Sequence, residues 1–268
     1  TDAGEEWGYT ATPTPAATNE GITLTMHRLA APEVAPESQI FSGALSITVD
    51  IPEGATLRYT MDGSTPSMEN GRTSTTGKLS TSGTRVYRFA LFQDGCLSSP
   101  VVTRSYIKRD KSFNIPVVSV VTDPDHLYDP TIGFLTKGTN EYCNWNHDWD
   151  RPVNFEMLDP QTGKSLINME ADMSRCGGHS KGFTPFSFKI KAGKEYEGQN
   201  YLDYQFFPDK PYLKHKALQF RCGGNDYLCR IKDAALQSIV RTSGIDVDLQ
   251  DYAAVCHYIN GEFMGTIN

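Results

Sequence analysis

Apolar and polar residues alternate with period two through Leu45-Ser46-Ile47-Thr48-Val49. That is the pattern of a strand with one buried face. Thr56-Leu57-Arg58-Tyr59-Thr60 follows, and Met61-Asp62-Gly63-Ser64 then supplies an Asp-Gly turn signal. Val86 to Leu91 and Val101 to Tyr106 read as two more strands. Short strands with turn signals between them predict an immunoglobulin-like, all-β sandwich over residues 31–108.

The pattern changes after Lys108. Charged residues, Ser112 and Asn114 precede an apolar strand from Ile115, so 108–114 is the expected boundary between two units. Beyond it, Pro152 to Met157, Phe186 to Lys191, Leu218 to Arg221 and Ala253 to Ile259 are strand candidates. Ile231, Ala235 and Ile239 recur at helical spacing and predict a helix over Ile231 to Arg241, closed by Ser243-Gly244. This second unit, residues 114–268, is expected to be α+β: a mixed sheet with few helices. Residues 1–30 are different again. Ala11 to Asn19 is a Pro/Thr/Ala stretch that reads as an extended linker, and Ile22 to Met26 as one strand.

Bulk properties narrow the function classes. A chain of 268 residues has room for two domains and a sizeable core. A net charge of −7 and the lack of a long Lys/Arg run argue against nucleic acid as a partner. No apolar run approaches the roughly 20 residues of a membrane span. The chain opens on Thr1 without a leader-type segment, so it is expected to lie within a longer or processed precursor at the cell surface or outside the cell, with any lipid anchor upstream. Six cysteines include no C-x-x-C pair, which speaks against a zinc ribbon. Disulfides and buried free thiols both remain open, with Cys222 and Cys229 flanking a glycine loop that Cys256 is also able to approach.

That loop, Arg221-Cys222-Gly223-Gly224-Asn225-Asp226, is the most distinctive local feature. It joins a strand to the predicted helix and gathers Arg221, Asn225 and Asp226. One reading is a binding loop; the other is a glycine turn in which Asp226 caps the helix. A second glycine pair, Gly177-Gly178, is followed by Lys181, Lys189, Lys191 and Lys194. Glycine amides beside cations suit phosphate, and a solvated strand face explains the lysines equally well. In a strand over 186–191, Phe186, Phe188 and Ile190 share one face, and Ser187, Lys189 and Lys191 the other. His147-Asp148-Trp149-Asp150 reads as a polar loop with Trp149 packed, because neighbours on an extended segment point apart. No G-x-S-x-G elbow accompanies Ser180.

Several pieces, taken in order, resemble the CotH family of spore-coat-type atypical protein kinases. They are Ile115 to Pro124, Trp149 to Glu156, Gly177 to Lys181 with Pro185 to Ile190, Arg221 to Asp226, Lys232-Asp233, and Ile259 to Gly265. The string Ala55 to Pro66 resembles the chitobiase/β-hexosaminidase C-terminal-type domain, an accessory module whose tyrosines read as packing residues or as a sugar platform. Residues 1–30 resemble the end of a lamin-tail-like domain. The CotH resemblance implies ATP and Mg²⁺ as cofactors and protein Ser or Thr as substrate. It also implies that the family's metal-binding carboxylates lie beyond Asn268, so this chain is expected to be a front half. Arg175, Lys181, Lys189 and Arg221 are then the expected phosphate contacts, with Asn225 and Asp226 organising the loop; no catalytic or metal-ligating residue is assigned. The sequence departs from the family at Phe186, where a Lys is usual. That departure implies the other reading, a catalytically degenerate surface scaffold that binds other cell-surface proteins or carbohydrate.

Overall fold

The structure, a computed structural model, describes residues 27–196, 199–226 and 228–268, and of Asn225 the backbone alone. The expected strand at 22–26 and most of the linker therefore lie outside the described residues. Strand is the dominant element and helix is scarce.

Eight strands form the first unit: β1 Val34–Ala35, β2 Gln39–Phe41, β3 Leu45–Val49, β4 Thr56–Thr60, β5 Arg72–Ser74, β6 Lys78–Thr81, β7 Arg85–Phe92 and β8 Val102–Lys108. They make two sheets, ordered β1-β3-β6 and β2-β8-β7-β4-β5. The alternation in β3 does what period two requires: Ile47 and Val49 are buried while Ser46 and Thr48 face solvent. Between the sheets lie Ile47, Leu57, Tyr59, Tyr87, Phe89, Leu91 and Tyr106. Tyr87 stacks on Phe89 at 5.6 Å between ring centroids, and the Tyr106 hydroxyl donates to the Pro36 carbonyl at 2.8 Å. The buried tyrosines are core residues, each removing a large apolar ring from water for about 1.5–3 kcal/mol.

The second unit is built on a seven-stranded sheet. Its strands are β9 Val117–Val121, β10 Asp150–Leu158, β11 Ser165–Arg175, β12 Phe188–Lys191, β15 Ala217–Phe220, β16 Val255–Ile259 and β17 Glu262–Ile267, with a separate two-strand pair β13 Leu202–Asp203 and β14 Lys214–His215. The sheet order is β15-β12-β11-β10-β9-β16-β17, antiparallel except where β16 runs parallel to β9. A parallel pair needs a long crossover, and here the whole chain between β9 and β16 supplies it. Helix α1, Pro124–Tyr128, starts where Asp123 accepts the Asp125 N–H at 3.1 Å. Helix α2, Lys232–Thr242, falls one residue from its expected span and ends at Ser243, ahead of Gly244 at φ +74°. Its apolar positions are not buried: Ile231, Leu236 and Ile239 all stand in solvent.

The two units are docked. Ile40 and Ile107 of the sandwich pack with Phe113, Val117, Leu158 and Tyr258 in one apolar cluster. The connecting segment is thus not a free linker. Phe113 is buried in the cluster, Arg109 donates to the Pro160 carbonyl at 3.0 Å, and the Lys111 ammonium sits over the Phe263 ring at 3.4 Å. The Ile40 N–H donates to the Gly163 carbonyl across the seam at 2.8 Å.

Gly63, in the β4–β5 turn, makes the closest approach. It has φ +95°, and a Cβ there would fall inside van der Waals contact of the Thr122 carbonyl and the Asn260 amide oxygen. Gly63→Ala is therefore expected to cost at least about 2–3 kcal/mol, from left-handed backbone strain plus the clash. Gly43, at φ +73° with open space around it, carries only the backbone term, about 1 kcal/mol. Urea unfolding of G63A and G43A checks the ordering; equal losses would mean that the seam tolerates a side chain at 63.

Candidate functional site

Arg175 ends β11 and pairs in register with Phe188 of β12. Its neighbours on that face are apolar, so the guanidinium is 7% exposed and lies over the Phe186 ring at 4.7 Å. Its Nε has no hydrogen-bond partner. Among the described residues no carboxylate pairs with it. Burial therefore dominates, and its pKa is lowered to about 10. A buried cation without a counter-charge is unfavourable, which makes this position attractive to an anion.

Other cations and two glycine turns gather nearby. Cys222, Lys181 and Lys189 each lie within electrostatic reach of Cys176. Burial raises the Cys176 thiol pKa, and Lys189, Arg175 and Lys181 act against the rise. Both cysteine amides are fixed on Ser187: Cys176 N–H donates to its carbonyl at 3.2 Å and Cys222 N–H to its hydroxyl at 3.0 Å. Gly177 has φ +105°. Ser180 stands between the two turns, close to the Cβ positions of both Gly177 and Gly224. Lys181 reaches Asp148 at 3.7 Å, while Lys189 forms no ion pair among the described residues. Lys189 pairs with Ser174 and Arg175 with Phe188, so the two cations leave opposite faces of the sheet where β11 ends and β12 begins.

The remaining expected contacts stand elsewhere. Arg221 bonds Asp233 in the first turn of α2, a half-exposed pair. Asp226 accepts the Lys232 N–H at 2.5 Å, so it caps the helix start from the glycine turn. Asn225 belongs to the 3-10 turn Gly224–Asp226. Phe186 is buried among Phe134 and Phe188, on the core face that its alternation with Phe188 and Ile190 implied. All six cysteines are free thiols, which settles the choice left open by their spacing. His147 stacks on Trp149 at 4.4 Å, and no cluster of metal-ligating side chains occurs among the described residues.

One feature was not legible beforehand. A cavity of about 440 Å³ opens between the sheet and α2. Its apolar walls include Phe155, Phe220, Tyr204 and Phe206, and its rim carries the Arg221–Asp233 pair and Asp251. Asp251 is tied to Arg241 at 2.5 Å and to Lys210 at 3.6 Å. Tyr204 and Phe206 come from an irregular segment whose sequence carries no period, so nothing in the pattern marked them as wall residues. The size and apolar walls are those of a small-molecule pocket.

Comparison with known proteins adds little. No family model matches the chain, and no curated protein matches it. Among solved structures, extracellular domains 3–5 of Drosophila OTK align over 61% of this chain and 74% of that one, with 10% identity and a TM-score of 0.23. A likeness that low carries no argument about fold or function.

Two substitutions separate packing from surface roles. Phe186→Ala should cost about 3–5 kcal/mol, as for other buried aromatic truncations. Arg221→Ala, breaking an ion pair that solvent reaches, should cost below about 1 kcal/mol. Thermal and urea unfolding read both; a larger loss at 221 would show that the arginine holds the glycine turn together.

Proposed function

We propose that residues 114–268 form the nucleotide-phosphate-binding part of a CotH-type protein kinase of the cell surface, which in its full-length form transfers a phosphoryl group from ATP to protein Ser or Thr. The observation that carries this reading is Arg175, a buried guanidinium with no anionic partner among the described residues. Lys181 and the Gly177 turn lie near the same strand end, and Lys189 leaves the opposite face of the sheet there. Phosphoryl transfer rests on positioning and charge neutralisation, and cations beside a glycine turn suit the positioning half of that requirement. In this reading Mg²⁺ is held by carboxylates outside residues 1–268. Arg221 serves the architecture by anchoring α2, and Asp226 by capping it.

A second reading has its own observation. Phe186 occupies the position where the resemblance calls for lysine, and its ring is locked into the core. A degenerate surface scaffold that keeps the fold without the chemistry accounts for that replacement.

Fluorescent ATP binding to residues 1–268 distinguishes the two. The kinase-derived reading expects salt-sensitive binding, competed by inorganic triphosphate and weakened at least about tenfold by Arg175→Met with unchanged melting temperature, a loss of about 1.4 kcal/mol. It also expects no phosphate transfer from labelled ATP by these residues alone, since the transferring phosphate's charge is not neutralised without the metal. No detectable ATP binding favours the scaffold. EDTA-sensitive transfer would place a complete metal site within the chain and overturn the assignment of the metal ligands elsewhere.

A further inference from the structure

The face of the β10–β11 hairpin opposite the core is polar, and the sandwich is docked onto it. Asn154 and Glu156 of β10 lie across from Glu170 and Asn168 of β11 in register. Glu156 has no solvent exposure. Its Oε1 accepts from the Ser165 hydroxyl at 2.9 Å and from the Asn168 amide at 3.0 Å, both within its own unit. Its Oε2 has no partner, although the Ser38 and Ser105 hydroxyls of the sandwich stand beside the carboxyl.

The seam around it is made of hydroxyls. The Ser105 hydroxyl is within 2.9 Å of the Ser119 hydroxyl on β9, and the Ser105 N–H donates to the Ser38 hydroxyl at 2.9 Å. The charged and titratable groups facing Glu156 are few. From β8 come Arg104, which favours the carboxylate, and Tyr106. Glu37, ahead of β2, lines the same small cavity of about 240 Å³. Arg104 forms no ion pair with Glu156, and its own Nε is unpartnered. The carboxyl is thus bonded only to neutral groups, with Arg104 near it but not paired to it.

We propose that Glu156 is a protonation-controlled pin between the two units: as the neutral acid it donates from Oε2 to a sandwich hydroxyl and holds the seam closed, and as the carboxylate it loosens it. The chemistry is a simple proton exchange with solvent. The acid form has one O–H to give, and Ser38 and Ser105 are the acceptors at hand. The carboxylate has only acceptors; the Ser38 and Ser105 hydroxyls are then its donors at hand, and with no bonded cation the buried charge remains costly, which admitting water or opening the seam relieves. Burial pushes the Glu156 pKa up to about 7, against the opposing effect of the nearby Ser38, Ser165 and Ser105 hydroxyls and of Arg104. Since the docked value lies above that of a solvated glutamate, the docked state binds the proton more tightly. Docking is therefore favoured below the solvated pKa, near 4.3, and that advantage is lost as pH rises through about 7.

Two measurements on the whole chain test this. Hydrogen exchange at the Ile40 amide, whose bond to Gly163 crosses the seam, reports opening. After correction for the intrinsic pH dependence of exchange, wild-type protection should fall by about a hundredfold between pH 5 and pH 8, close to tenfold per unit over the interval between the two pKa values. Glu156→Gln, which carries an N–H₂ donor at every pH, should flatten that dependence, and Glu37→Gln should leave it in place. Carbon-13 titration of the Glu156 carboxyl in the wild type should share the midpoint of the protection change. That second measurement holds even if E156Q fails to fold. A titration midpoint below about pH 5, or an E156Q profile as steep as the wild type's, overturns the proposal.

Discussion

The antiparallel hairpin of β10 and β11 is the constraint on which the molecule depends. Its two strands stay in register from Asp150–Ser174 to Met157–Ile167, so period two divides them cleanly into two faces. Val153, Phe155, Met169, Ala171 and Met173 build the core of the second unit. Asn154, Glu156 and Asn168 look the other way, toward the sandwich. A slip of one residue would reverse every side chain. It would place carboxylates in the core and methionines at the seam. One hairpin therefore fixes both the interior of a unit and the orientation of its neighbour.

How much of this was legible depends on where the pattern is local. The alternation of Leu45 to Val49 and the spacing of Ile231, Ala235 and Ile239 each identified the right element, because periodicity reports which face will be buried. Spacing alone did not say whether that face would be covered: α2 forms with Ile231 and Ile239 in solvent. The docked state of 109–113 was also hidden. Charges there read as a linker, yet Arg109 and Lys111 use their heads on a carbonyl and a ring of the second unit. Long-range partners of this kind have no signature in a window of neighbouring residues.

The site shows the same division. Glycine turns and nearby lysines were visible in sequence, and the fold brings Lys181, Lys189 and Arg175 around Cys176, just past the end of β11. What the sequence could not show is that Arg175 would be buried with no acid beside it among the described residues while Arg221 found one. Arg175 ends its strand and Arg221 directly follows one. They differ in what the next element offers: α2 presents Asp233 to Arg221, whereas Arg175 meets the aromatic ring of Phe186. The capping role of Asp226 likewise follows from the turn bringing its carboxylate under the first free amides of α2.

The contact at Gly63 bears on how such a chain is assembled from parts. A turn whose backbone must lie directly against Thr122 and Asn260 is shaped for one neighbour. A homologous sandwich with any side chain at that position is not interchangeable with this one, however well it folds by itself. The sandwich is thus a fitted component and not a modular tag, and grafting the second unit onto a different β-domain would require the turn to travel with it.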